Sequence, residues 1–113
     1  MTKDIAIFLV KNKLGVDLSL NNTNWSNINS NGIWSVEPNV NRTNNILFLI
    51  LNNNKSKKLH VFKISSKDEV FSRFYKRNDK PVYRLLFDVD DLKFVETLKD
   101  INFKKFYIGS VLY

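Results

Sequence analysis

Cysteine is missing from all 113 residues. That excludes disulfides, thiolate chemistry and cysteine-based zinc sites, and it fits a reducing compartment. Histidine occurs once, as His60, so a transition-metal site built from protein ligands alone is not expected, and neither is a cofactor. The three glycines are isolated from one another, which leaves no glycine-rich phosphate loop. Long hydrophobic runs are also absent. Ile5 to Val10 and Ile46 to Leu51 fall far short of the ~20 apolar residues that span a bilayer. The first is short even for a signal-peptide core, and no small-residue cleavage site follows it. The expectation is a cytoplasmic protein with no membrane partner. The sequons at Asn21, Asn24 and Asn41 then reflect asparagine richness rather than glycosylation.

What the chain does have is enough apolar material for one core. Hydrophobic residues make up 43% and aromatics 13%, with nine phenylalanines, so residues 1–113 are expected to form a single domain. Its ending on a strand points to a module of a longer protein; the oligomeric state stays open. The formal net charge is +7, and its distribution is more informative than its size. Ten basic residues lie between Lys55 and Arg84: Lys55, Lys57, Lys58, Lys63, Lys67, Arg73, Lys76, Arg77, Lys80 and Arg84. The same window holds three acids, Asp68, Glu69 and Asp79, so it owns the whole excess of +7. Such segregation is the electrostatic footprint of a polyanion partner. The alternative is a basic face kept for solubility.

Hydrophobic patterning outlines the elements. Ile5 to Val10 is apolar and rich in β-branched residues, which predicts a buried strand. Residues 11–32 read as a long loop with a turn of helix near VDLSL. Ile33 to Val36 is a short strand stopped by Pro38. Ile46 to Leu51 and Leu59 to Ile64 flank an Asn- and Lys-rich turn and predict a β-hairpin. Ser66 and Glu69 have the spacing of a capping box, followed by Val70, Phe71 and Phe74 at helical intervals. Tyr83, Leu85, Phe87 and Val89 alternate as in a half-buried strand. Asp90 or Asp91 is placed to cap a second short helix carrying Leu92, Val95 and Leu98 inward. A last strand runs to Tyr113. The expected class is α+β: a small curved mixed sheet or barrel of about five or six strands with two short helices.

Catalytic patterns are sparse. A Ser–His–Asp arrangement would need His60, which falls in a strand where a surface or edge position is the simpler reading, and no serine has a nucleophile-elbow context. A small basic ribonuclease using His60, Arg84 and a tyrosine is the alternative enzyme reading. Asp88, Asp90 and Asp91 lack the downstream partners of a metal-dependent nuclease. The stretch YIGS, Tyr107 to Ser110, resembles half of the GIY-YIG nuclease signature. It lacks the preceding strand and the following catalytic residues, so it reads as a strand with Tyr107 and Ile108 packing. A basic protein-interaction domain is the third class.

Binding has more behind it. Trp25 and Trp34 sit in polar surroundings and would serve as stacking plates beside the basic segment, where each stacked base contributes roughly 1–3 kcal/mol. Asn29, Asn31 and Ser35 flank Trp34 and supply a hydrogen-bonding edge for a flipped base. Core or rim packing is the alternative for each tryptophan. Along GIWSVEPNVNRTNNILFLILNNNKSKKLHVFKISS the chain resembles the central part of the PUA-like superfamily, especially its EVE and YTH branches. The likeness rests on Ile33-Trp34-Ser35, the strand Ile46 to Leu51, the turn Asn52 to Lys55 and the return Leu59 to Ser65. A later stretch, YRLLFDVDDLKFVE, is similar to the region that follows in that family. The resemblance implies a barrel that captures a modified base in an aromatic cage, as in recognition modules of modification-dependent restriction systems. It implies that Trp34 stacks on the base, opposed by Trp25 or by one of Phe62, Phe71, Phe74, Tyr75 and Tyr83. The expected partner is nucleic acid, DNA ahead of RNA, with no enzymatic activity. Lys55, Lys57, Lys58, Arg73, Lys76, Arg77, Lys80 and Arg84 are the expected phosphate contacts.

Overall fold

The computed structural model describes residues 1–41 and 46–113. Its first element corrects the expected strand, because Lys3–Leu14 form an α-helix, α1. The Thr2 side chain accepts a hydrogen bond from the Ile5 N–H, and Asp4 lies in the first turn, where the helix dipole favours an acid. Gly15, at φ 66°, closes the other end and donates its N–H to Lys11 O. Ala6, Ile7 and Val10 are buried on one side. A six-residue apolar run carries no period that separates strand from helix, and here the caps decide.

The segment expected to be loop contains β1, Thr23–Asn27, which pairs in parallel with β3, Leu47–Asn53. The expected hairpin is present: β3 pairs antiparallel with β4, Lys58–Ile64. The last strand, β9 at Tyr107–Leu112, lies on the far side of β4. The central sheet therefore runs β1-β3-β4-β9. A second sheet contains β2, Ile33–Val36, then β6, Tyr83–Asp88, then β5, Tyr75–Lys76. A small ribbon pairs β7, Val95–Glu96, with β8, Ile101–Asn102. The sheets are separate, so no barrel closes. The described residues form nine strands rather than five or six.

Neither expected short helix is an α-helix. Glu69–Arg73 is a 3-10 turn capped by Asp68, whose carboxylate accepts the Val70 N–H, in place of the Ser66–Glu69 box. The segment after Asp91 is a turn. Asp91 accepts the N–H groups of Lys93 and Val95 with its own side chain, which competes with helical bonding. Phe94 has φ 54°, and Leu92 is 74% exposed rather than inward.

Alternation along β3 and β4 builds two cores on opposite faces of the central sheet. Phe48, Ile50, Leu59 and Val61 meet Ala6, Ile7 and Val10 of α1. Gly109 of β9, beside Leu14 of the helix, has φ 146°, a backbone conformation that residues with a Cβ rarely adopt. On the other face Leu47, Leu49, Leu51, Phe62 and Ile64 meet Trp34, Val36, Leu85, Phe87 and Phe103. Each large side chain buried this way contributes about 1.5–3 kcal/mol. The molecule is thus layered: helix, central sheet, second sheet.

Candidate nucleic-acid interface

The expected base plate is not on the surface. Trp34 is 1% exposed, and its indole N–H donates to Asn52 O at 2.8 Å. In β2 it is Trp34 and Val36 that point inward while Ser35 is exposed, the reverse of a ligand-facing indole. The pairing Trp34↔Phe87 and Val36↔Leu85 explains this: the inward face of β2 must match the inward face of β6. Trp25 is half-buried against the α1 core. The two tryptophans therefore lie on opposite sides of the central sheet and cannot clamp one base between them. Asn31 is exposed in the turn before β2, where its N–H donates to Asn29 Oδ1, and the Ser35 N–H donates to Ser26 Oγ.

Of the aromatics offered as a second cage wall, Phe62 and Phe74 are core residues. Phe71 and Tyr83 are half-buried and line a hollow of about 180 Å³ with Lys67. Tyr75 is 37% exposed on β5 and pairs with Arg84 of β6.

His60 is not at a surface or edge. It occupies a central strand at 9% exposure, and its Nδ1 shares a 3.1 Å hydrogen bond with the Tyr107 hydroxyl. The rings of Trp34 and Phe94 stand edge-on to it at 5.8 and 5.0 Å. Burial, and secondarily the nearby charge of Lys58, lowers its pKa to about 4. At neutral pH it is an uncharged core imidazole. Arg84 lies on β6 next to the inward Leu85 and opposite Tyr75 of β5, and its guanidinium reaches Glu37. The structure does not bring His60 and Arg84 together. Among the described residues, no three His, Asp or Glu side chains converge as metal ligands would.

The ten cations of the 55–84 window divide by partner. Arg77 donates to Glu37 at 2.8 Å and to both oxygens of Asp79, at 2.9 and 2.6 Å. Arg84 donates to the same Glu37 oxygen at 3.1 Å. Burial alone would raise the Glu37 pKa. The hydrogen bonds and charges of the two arginines outweigh it and hold the carboxyl below its ordinary value. Two cations and two anions leave this corner neutral. The other eight form no ion pair among the described residues. Lys55 and Lys57 are exposed in the β3–β4 turn, and Lys58 is half-exposed at the start of β4. Arg73, Lys76 and Lys80 are exposed around β5. Lys63 and Lys67 lie at the opposite end of β4, roughly 20 Å along the strand from the turn at about 3.3 Å per residue. The basic window is contiguous in sequence but not in space.

Two participants carried no sequence signal. Asn52, 1% exposed, takes the Trp34 indole on its carbonyl, donates its Nδ2 to Asn27 Oδ1 at 2.7 Å and accepts the Tyr113 hydroxyl at 2.6 Å. Glu96, 0% exposed, accepts the N–H groups of Leu86, Leu98 and Lys99. Compared with protein-family models, curated proteins and solved structures, the chain matches none.

Proposed function

We propose that the chain is a nucleic-acid-binding module that holds single strands by their phosphates, using the lysines around the β3–β4 turn as its strongest contact. The observation that carries this is the charge pairing. Arg77 and Arg84 are neutralised by Glu37 and Asp79, while Lys55, Lys57 and Lys58 cluster without an acid partner among the described residues. Cations that no internal acid uses are free to displace counterions from phosphate. The exposed Tyr75 and Tyr113 rings offer stacking faces, which only unpaired bases can use. Helix α1 presents Ile5 and Phe8 to solvent rather than a basic stripe, which argues against a groove-reading helix on duplex. The PUA-like pattern around Ile33-Trp34-Ser35 favours nucleic acid over an acidic protein as the polyanion. A base cage at Trp34 is not part of the reading, because that indole is enclosed.

The test is fluorescence anisotropy with labelled single-stranded DNA, single-stranded RNA and duplex, at about 50 and about 200 mM salt. Affinity should fall steeply with salt and be higher for single strands than for duplex. Absence of salt-sensitive binding to every probe would end the proposal.

A further inference from the structure

A groove of about 480 Å³ opens beside the β3–β4 turn, lined by Met1 and Ile5 on one side and by Asn27, Asn54, Lys57 and Tyr113 on the other, with Asn52 as its floor. Its parts are unlike the rest of the surface. Met1 and Ile5 are 40% and 50% exposed and give one apolar wall, and the Tyr113 ring, 38% exposed, gives an aromatic one. The floor is already ordered. Asn52 holds the Tyr113 hydroxyl and the Asn27 amide oxygen, which turns the Asn27 Nδ2 away from the core with no hydrogen-bond partner among the described residues. The Asn54 side-chain amide, exposed at the turn, has none either. Lys57 stands over Tyr113, with Nζ 5.9 Å from the ring centroid, and its carbonyl accepts the Tyr113 N–H at 3.0 Å. Its backbone has φ 56°, a conformation in which glycine would be less strained. The Asn53 side chain, which accepts the N–H groups of Lys55 and Ser56, keeps the turn in that shape. A lysine is thus held beside the ring at some conformational cost, which points to a use for its charge.

We infer that this groove is a base subsite, which takes one unpaired nucleobase of a bound single strand. The base lies between the apolar wall and the Tyr113 ring. The free Asn54 amide faces its hydrogen-bonding edge with the paired donor and acceptor suited to the edge of adenine, and the Asn27 Nδ2 adds a further donor. Lys57, with Lys55 and Lys58 on either side, takes the flanking phosphates. Two flat walls, spare amides and an adjoining cation are the parts a nucleotide needs, and a simple phosphate grip uses only the last. This inference rests on the proposed nucleic-acid binding and adds a base contact to it.

The experiment compares a short oligoadenylate single strand with an abasic strand of equal length, which keeps the phosphates and loses the bases. Anisotropy is read for the wild-type protein and for Tyr113→Ala, Tyr113→Phe and Asn54→Ala. The wild-type protein should bind the oligoadenylate at least about tenfold more tightly, the scale of one stacked base. Tyr113→Ala and Asn54→Ala should erase most of that difference and leave abasic binding unchanged, while Tyr113→Phe keeps most of it. Circular dichroism melting of each variant separates lost binding from lost fold. Equal wild-type affinity for the two strands, or equal loss on both in a folded variant, would overturn the subsite and leave the phosphate grip standing. If neither strand binds the wild-type protein, the phosphate grip fails and the subsite fails with it.

Discussion

Two aromatic regions meet at Asn52, and they differ in what their polar atoms are doing. Between the sheets, Trp34 and Phe94 stand edge-on to His60 and Phe94 stacks on Tyr107; the indole N–H has Asn52 O, and the imidazole has a tyrosine hydroxyl. At the β3–β4 turn, Tyr113 is 38% exposed beside a lysine, and the Asn27 Nδ2 and the Asn54 amide have no partner among the described residues. A buried polar group without a partner is costly, so the first region must be internally complete. An exposed one is satisfied by water and can exchange that water for a ligand. The lesson is to locate function by unspent donors and charges rather than by the largest ring.

The sharpest way to break the comparison is to truncate an aromatic on each side of Asn52. Trp34→Ala should cost about 3–5 kcal/mol of stability by urea or thermal unfolding, because it empties a core site. Tyr113→Ala should cost about 1–2 kcal/mol, because its ring is 38% exposed and only its hydroxyl bond to Asn52 reaches the interior. Similar losses at the two positions would erase the distinction.

Acid should attack the closed region next. Its imidazole titrates at about 4 when folded against an ordinary value of 6.5, so the unfolded chain takes up the proton first. The His60 contribution is full above pH 6.5 and is lost as pH falls towards 4, on the order of 2 kcal/mol. Glu37 and Asp79 are held low by Arg77, with Arg84 adding to the effect on Glu37, and they add to the loss only below their ordinary values of 4.5 and 3.8. The span from pH 6.5 to 4.5 therefore isolates His60. A His60→Gln variant should flatten unfolding free energy across that span, and an unchanged slope would remove the histidine from the account.

Smaller effects follow. Asn52→Ala removes the shared floor and should cost about 1–3 kcal/mol by unfolding, because a buried amide loses its bonds to Asn27 and Tyr113. Arg77→Ala should change affinity for single strands by less than about twofold, since that guanidinium is already occupied by Glu37 and Asp79. A tenfold loss there would move the interface to the β5–β6 corner.

The sequence shows the hairpin and β6 plainly, because β3 is apolar throughout and Tyr83, Leu85 and Phe87 alternate. It does not show α1 as a helix, since the apolar run is too short to display a period and the deciding caps are single residues, Thr2 and Gly15. The inward turn of Trp34 was equally hidden. The stretch around it, Asn29 to Gly32 and Ser35, is mostly polar, but its neighbours in space, Phe87 and His60, come from residues far along the chain. Asn52 and Glu96 look like ordinary polar residues, and their roles arise from partners on other elements. Charge segregation is visible in the composition of residues 55–84, whereas its division into a neutral corner and a free turn depends on where Glu37 falls.

The most direct test of the central claim is the salt dependence of single-strand binding with Lys55, Lys57 and Lys58 all replaced by alanine. Three phosphate contacts should contribute about 2 to the slope of log affinity against log salt, at about 0.7 per contact on single strands. The triple variant should lose that much slope while melting like the wild-type protein. A slope unchanged by the three substitutions would contradict the account.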